Sequence, residues 1–222
     1  MAAANGKLQV VKALLSVPLP MTIFAKTTSG KTPLGLAKQN QHATAAECLK
    51  TAKLDVIKRL WAAVNKGDGN RVCALLKQGV PVNVRNATGR TALHAAAAAN
   101  QNAIAELLVA AGAEIDAVAV DGRTPLIVAV ESNGVDIANQ LLQARASVHM
   151  RVGADDSAAA SWQPLHLAAK QGYAKIVDLL LAHSAIVDAG PTTPLHLAVQ
   201  YKHVEVVKRL LKANALRFFL DG

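Results

Sequence analysis

The stretch Asp121-Gly122-Arg123-Thr124-Pro125-Leu126 decides the fold of this chain, because closely similar stretches recur on both sides of it. The nearest copy is Thr88-Gly89-Arg90-Thr91-Ala92-Leu93-His94, in which Thr91 stands where Thr124 stands in the later stretch. Two later copies and a weaker first one read Gln163-Pro164-Leu165-His166, Thr193-Pro194-Leu195-His196 and Gly30-Lys31-Thr32-Pro33-Leu34. Repetition with one period, here roughly 33 residues, predicts stacked supersecondary units rather than one globular core.

A second marker keeps the same register. A leucine stands eight residues before a polar residue four times, and the first two steps between these leucines are equal. The pairs are Leu75 and Asn83, Leu108 and Asp116, Leu141 and His149, and Leu180 and Asp188. The third step is longer because it contains an insertion of six residues after His149, and insertions in such stacks form loops, often on the binding side.

A T-P-L-H box repeated about every 33 residues resembles the ankyrin repeat, and the resemblance covers most of the chain. It implies an all-α ankyrin-repeat solenoid of helix-turn-helix units joined by β-hairpin fingers, with about six helix pairs after a lone leading helix. Each box threonine is expected to cap a first helix, and each box proline to occupy its first turn. Gly79 and Gly112 are predicted to end second helices in the left-handed conformation.

The pattern departs from the family between residues 51 and 54. A second helix over residues 43–50 is expected to end in a turn there, and residues 54–63 lack the box and look like the opening helix of an array. The segment before them looks like a closing repeat, whose outer face is more polar than that of an internal repeat. We therefore predict two arrays, residues 1–53 and residues 54–222, the second with about five repeats. One continuous stack with a shortened finger is the alternative.

Composition limits both the core and the compartment. Hydrophobic residues make up 52% of the chain and aromatic residues 3%, so the core is expected to consist of alanine, leucine and valine. No apolar run reaches the ~18 residues of a membrane span, and the N-terminus lacks the pattern of a signal peptide. The two cysteines are too few for a disulfide framework. A cytoplasmic protein is expected, with the nucleus as an alternative.

The net charge of +9 is concentrated at the start of the chain. Residues 1–66 carry ten basic residues against two acidic ones, whereas residues 101–188 carry five basic residues against ten acidic ones. A basic end can attract nucleic acid or an anionic membrane. No aromatic interleaving or groove motif accompanies the charge, so lysine-rich helices that face solvent are the preferred interpretation.

The resemblance also implies where a partner would bind. In ankyrin repeats, the residue before each box threonine and those seven and eight positions after it point to the concave face. Here they include Ala98, Ala99 and Thr192 together with the nine predicted partner-binding residues, which are Arg90, Arg123, Glu131, Ser132, Trp162, Lys170, Gln171, Gln200 and Tyr201. Aromatic residues and arginine dominate interface hot spots, so Trp162 and Tyr201 matter most in a chain so poor in aromatics. A Trp162 tucked under the inserted loop is the alternative.

No catalytic or metal site is predicted. The box histidines bond to neighbouring backbone in the ankyrin family, and here each lacks a second ligand at metal spacing. They are His94, His166 and His196. The segment Ser29-Gly30-Lys31-Thr32 has Ala25 where a phosphate loop needs a glycine. The pair Asp155-Asp156 is interpreted as a solvated part of the insertion, because other carboxylates that could share a metal are missing.

The expected function is a non-catalytic scaffold that binds a partner protein or peptide through its concave groove and finger tips. It is expected to act as a monomer, without a cofactor or a small-molecule substrate. The alternatives are a basic surface that recruits nucleic acid or anionic membrane, and the targeting segment of a larger enzyme. Salt separates the first two, because phosphate binding weakens steeply as salt rises and an apolar interface weakens much less.

Overall fold

The computed structural model describes residues 8–16, 23–152 and 162–220, without the side chains of residues 10, 14–16 and 215–220. The chain forms two compact units, residues 1–84 and residues 85–222. Both units are helical, and no strand occurs in the part of the chain that the structure describes. None of the helices described there combines the length and the hydropathy needed to cross a membrane.

The first unit is built around one long helix. Its helices, within the residues described, are α1 (Leu8–Ser16), α2 (Pro33–Gln39), α3 (Ala43–Asn65) and α4 (Gly69–Lys77). Helix α3 packs against each of the other three. Its first half closes a small core in which Val11, Ala37 and Leu49 are buried. Its second half packs on α4 and buries Leu60 and Val64.

The turn predicted between residues 51 and 54 is wrong, because α3 continues through it. Residues 43–65 contain neither glycine nor proline, and the Thr51 hydroxyl donates to the helix's own Cys48 carbonyl at 2.9 Å. The buried positions Leu49, Val56 and Leu60 recur at helical spacing on one face, so a single helix can serve two neighbours. The count of about six helix pairs therefore holds only when α3 is counted twice. The division into arrays at residue 53 stays a prediction.

The second unit repeats one helix pair four times within the described residues. The first helices are α5 (Ala92–Ala98), α7 (Pro125–Glu131), α9 (Pro164–Gln171) and α11 (Pro194–Gln200), and the second helices are α6 (Asn102–Ala110), α8 (Val135–Gln143), α10 (Ala174–Ala182) and α12 (Val204–Leu220). Each first helix packs on the next first helix, and each second helix on the next second helix. The marker residues Leu108, Leu141 and Leu180 are fully buried, so the period seen in the sequence is the period of the core. The predicted all-α solenoid is confirmed.

The box residues start the first helices as predicted. The side chain of Thr124 accepts a hydrogen bond from the Ile127 N–H, and Thr193 accepts one from the His196 N–H. Proline occupies the first turn of α7, α9 and α11, where its missing N–H leaves no bond unmade. These caps fix where each first helix begins, and therefore place the residues just before it.

The second helices that precede Gly79 and Gly112 end in the left-handed backbone conformation, as predicted. The φ angles of these glycines are +79° and +81°. At the finger tip between α4 and α5 the chain reverses through a turn in which the Asn86 N–H donates to the Arg90 carbonyl at 3.0 Å. Gly89 in that turn has φ +73°, and a Cβ there would lie 3.1 Å from the Val120 nitrogen of the next finger. A side chain at this point would therefore need both a left-handed backbone and a small shift of the next finger.

Candidate partner-binding surface

Two of the box histidines, His94 and His166, join consecutive repeats. The ring of His94 is fully buried; its Nδ1 accepts the Thr91 N–H at 3.1 Å, and its Nε2 lies 3.1 Å from the Arg123 carbonyl. His166 makes the equivalent pair, with the Gln163 N–H at 3.2 Å and the Ala189 carbonyl at 2.9 Å. Because Nδ1 is the acceptor in both rings, Nε2 carries the proton and donates to the next finger. The histidines thus position the fingers that border the predicted surface.

Burial lowers the pKa of both histidines, because the charged imidazolium would lose its hydration. For His94 the hydrogen bond to the Arg123 carbonyl opposes the shift, whereas the charges of Arg90 and Arg85 add to it. For His166 the bond to the Ala189 carbonyl opposes the shift, and the charge of Arg151 adds to it.

These shifts predict that the chain loses stability as the pH falls below about 6.5, the pKa of a histidine in an unfolded chain. In that range the unfolded state takes up protons that the folded state does not, so the free energy of unfolding decreases. Each buried histidine contributes up to about 1.4 kcal/mol per pH unit while the pH lies between its two pKa values. Urea unfolding at a series of pH values from 7.5 down to 5 measures the slope.

A matched pair of variants assigns that slope. His94→Gln and His166→Gln should each flatten it, because each removes one buried ring whose pKa is lowered. Equal slopes for the wild type and His94→Gln would contradict the prediction.

Arginine and acid side chains on successive repeats form one charged network. Arg90 contacts Asp121 at 2.9 Å, and Asp121 lies 3.3 Å from Arg123. The Nε of Arg123 donates to both oxygens of Glu131, at 2.9 and 3.0 Å. Burial alone would raise the pKa of Asp121, but hydrogen bonds from Arg90 and Arg123 outweigh it and hold that pKa low. The Glu131 hydrogen bond raises the pKa of Arg123. Both arginines are thus held in place by acids of the chain itself.

Ser132 has a structural role besides the contact role predicted for it, which stays a prediction. Its hydroxyl lies 2.7 Å from the Val128 carbonyl of its own helix and 3.1 Å from the Ala97 carbonyl of the preceding first helix. The residue is half-buried, and its hydroxyl hydrogen is already used within the chain. It fastens α7 to α5 below the surface on which Ala98 and Ala99 are exposed.

The two aromatic residues predicted at the surface come together around one lysine. The ammonium of Lys170, at the end of α9, lies 4.9 Å from the ring centroid of Trp162 and 5.6 Å from that of Tyr201. Tyr201 stacks on His203 with centroids 6.5 Å apart and ring planes 13° apart. The His203 Nε2 lies 2.9 Å from the Lys170 carbonyl. Trp162, Lys170, Tyr201 and His203 are called the aromatic cluster below.

His203 was not predicted, because it lies in the turn before α12 and not on a first helix. The equivalent turn positions in the other repeats are Gln101, Gly134 and Tyr173. The sequence signal that could have identified His203 is an aromatic ring at this turn position, two residues after Tyr201. Gly172 belongs to the same arrangement, since a Cβ there would lie 2.5 Å from the His203 Nδ1.

Six of the nine predicted residues form two groups of three. Arg90, Arg123 and Glu131 share the charged network, and Trp162, Lys170 and Tyr201 share the aromatic cluster. Gln171 and Gln200 are exposed at the ends of α9 and α11, beside the cluster, and Thr192 is exposed before α11.

Two details of this surface fall in or beside the insertion. Trp162 is half-buried, and its carbonyl accepts the Val152 N–H at 2.8 Å, which closes the base of the insertion. Residues 153–161, which include Asp155-Asp156 of the insertion, lie outside the described part of the chain, so the placement of Trp162 under the loop stays a prediction.

One exposed feature was not predicted. Val120, at a finger tip, is 74% exposed beside Arg90 and Asp121, and Val118 is 40% exposed in the same finger. They add apolar area at the border of the charged network, where a partner that reached the finger tips would contact them.

The repeated helix pairs, the short fingers and the histidine bonds between them define a class of protein, the helical repeat protein that works as an interaction module. The family described as "Ankyrin repeats (3 copies)" matches residues 60–152 and 150–217. This chain belongs to the ankyrin repeat family. Members of that family act generally as protein–protein interaction modules and are generally non-catalytic.

Several curated proteins are similar to the chain. Tyrosine-protein kinase HTK16 of Hydra vulgaris is 31% identical over 156 residues, which are 68% of this chain and 20% of the kinase. The B-cell lymphoma 3 protein homolog of Mus musculus is 29% identical over 194 residues, 86% of this chain and 39% of that protein. NF-kappa-B inhibitor alpha of Sus scrofa is 35% identical over 108 residues, 49% of this chain and 34% of that protein. The chain spans less than half the length of these relatives.

Proposed function

We propose that the chain is a non-catalytic scaffold that holds a partner protein or peptide in the concave groove formed by its first helices and finger tips. The observation that carries the proposal is the aromatic cluster. Trp162 and Tyr201 come from adjacent repeats and meet around Lys170, in a chain with only 3% aromatic residues. Partly exposed aromatic rings beside a polar border are the usual anchors of protein interfaces.

The charged network supports a protein partner over a polyanion. Arg90 and Arg123 are paired with acids, so this surface offers a mixed-charge border rather than a continuous positive one. Such a border favours correct partners and disfavours wrong ones more than it adds affinity. A phosphate backbone would find few unpaired positive charges here.

A second candidate function rests on the first unit. Lys12, Lys31 and Lys38 are exposed there, within a segment that has ten basic residues against two acidic ones. Such a surface could recruit nucleic acid or an anionic membrane. The third candidate, a targeting segment of a larger enzyme, is consistent with the kinase of which the similar region is one fifth. The proposed compartment is the cytoplasm, with the nucleus as the alternative.

Photo-cross-linking from defined positions tests the proposed groove. Benzoylphenylalanine is placed at position 171 or at position 175, since Gln171 and Lys175 are both exposed but stand on a first-helix end and a second helix, respectively. After capture of partners from a cell extract, position 171 should cross-link to protein and position 175 should give background only. Cross-linking from position 175 but not from position 171 would contradict the groove.

A further inference from the structure

Lys170 is a cation of the proposed surface that has no acidic partner among the described residues. Of the three basic residues predicted there, Arg90 and Arg123 have acidic partners at 2.9 Å. Lys170 has neither a carboxylate nor a hydrogen-bond acceptor for its ammonium among the residues that the structure describes. Among those residues no acceptor competes with a partner for its three N–H donors.

The two aromatic rings hold this ammonium without neutralising it. At 4.9 and 5.6 Å from the Trp162 and Tyr201 centroids, the cation is attracted by both ring faces. A ring face supplies no second charge and no strong acceptor, so neither ring cancels the positive charge of Lys170. Lys170 is also half-buried, so its side chain has less conformational freedom to lose when a partner binds.

The backbone below Lys170 is fixed as well. Its carbonyl lies 2.9 Å from the His203 Nε2, and the His203 ring stacks on Tyr201. Lys170 is thus held at its carbonyl by His203 of the next repeat, and at its ammonium by Tyr201 of the next repeat and Trp162 of its own. A cation with a set position discriminates between partner groups better than a freely moving surface lysine does.

We propose that the aromatic cluster recognises a carboxylate side chain of a peptide segment, with Lys170 as the group that contacts it. In this arrangement the carboxylate meets the Lys170 ammonium, and the apolar part of the same segment packs against Trp162. The inference rests on the proposed function, since it names the chemistry that the partner presents to the same surface.

A carboxylate fits this site better than a phosphoryl group. Phosphorylated segments are usually read by clusters of arginine, and both arginines of this surface are already paired with acids. Residues 101–188 as a whole carry five basic against ten acidic residues, which disfavours a densely negative partner. One acidic residue among apolar neighbours is the partner that this charge distribution favours.

The probe for the test is a set of dodecapeptides selected on the full chain from a random phage library. Selected sequences should share an acidic residue at one register. In synthetic peptides, Glu→Gln or Asp→Asn at that register should weaken binding to the wild type about tenfold, as expected for a partly desolvated charge pair. Lys170→Met keeps the apolar stem of the side chain. It should weaken binding of the acidic peptide about tenfold and should not change binding of the amide peptide.

Two variants control for charge and for fold. Lys175→Met removes the same charge from an exposed position on α10 and should change the affinity less than twofold, as expected for a rim charge. Lys170→Arg should keep most of the affinity, because the cation remains.

The possible failures are distinguishable. Peptides that need Trp162 but bind Lys170→Met normally would overturn the carboxylate assignment and leave the proposed function standing. Phosphoserine in place of the acidic residue, binding more tightly than the carboxylate through Lys170, would also overturn the assignment. Peptides that bind Trp162→Ala and Tyr201→Ala normally would overturn both.

Discussion

Gly172→Ala is expected to lower the free energy of unfolding by about 2–3 kcal/mol, through a strained backbone and the loss of a hydrogen bond. Gly172 ends α9 with φ +76°, a conformation that a residue with a Cβ adopts only at a cost. The added Cβ would also lie 2.5–2.8 Å from three atoms of the His203 ring. That ring can move away only by giving up its bond to the Lys170 carbonyl and its stacking on Tyr201.

Two comparisons separate these contributions. Gly112 has a similar φ of +81°, with no atom within 4 Å of its would-be Cβ, so Gly112→Ala should cost only the backbone strain of about 1 kcal/mol. In a His203→Ala background, Gly172→Ala should cost about as little, because nothing is left to displace. Urea denaturation followed by circular dichroism measures the free energy of unfolding of Gly172→Ala, Gly112→Ala, His203→Ala and the double variant of Gly172 and His203. Equal costs for Gly172→Ala and Gly112→Ala would show that the contact with His203 is unimportant.

Trp162→Ala and Tyr201→Ala are each expected to weaken partner binding about 30-fold or more, the effect of removing a central anchor worth ~2 kcal/mol. Each substitution also removes one of the two rings that hold the Lys170 ammonium. The remaining ring alone positions that ammonium less well. The measured quantity is the dissociation constant of the captured partner, determined by calorimetry or surface plasmon resonance.

Neighbouring positions provide the controls. Val199 is 58% exposed on the same helix that Tyr201 ends, and Val199→Ala should bind normally. Tyr201→Phe keeps the ring face over Lys170 and should keep most of the affinity. A full loss of binding in Tyr201→Phe would mean that the hydroxyl, rather than the ring, contacts the partner.

The repeated box was sufficient to predict the helix pairs of the second unit, because each unit is stabilised only by local caps and by its neighbours. The threonine caps, the first-turn prolines and the left-handed Gly79 and Gly112 all follow from rules that act within a few residues. The burial of the regularly spaced leucines could be predicted from the single assumption that similar units stack.

The continuous helix α3 shows where the same reasoning failed. The family pattern led us to expect a turn between residues 51 and 54, although nothing in residues 43–65 breaks a helix. Helix-forming residues and an unbroken apolar face make α3 one continuous helix. The missing box indicates only that this repeat is atypical.

The contacts of the candidate surface could be predicted only in part. The sequence placed Trp162, Lys170 and Tyr201 on one face, and the structure brings these three together. It gave no sign that Arg123 would pair with Glu131 at the far end of the same first helix, or that Gly172 would lie against His203 of the next repeat. Both contacts depend on how side chains fill the space on and between repeats, which a periodic pattern does not specify.

The most direct test of the central claim compares one partner's binding to four proteins: the wild type, Trp162→Ala, Tyr201→Ala, and a chain in which Lys12, Lys31 and Lys38 are all glutamine. The partner is the protein that the wild-type chain captures from a cell extract at physiological salt. The account predicts that the triple lysine variant retains it and that both aromatic variants lose it while still folded. Normal binding by both aromatic variants, together with loss of binding in the triple lysine variant, would contradict the groove and assign recognition to the basic first unit.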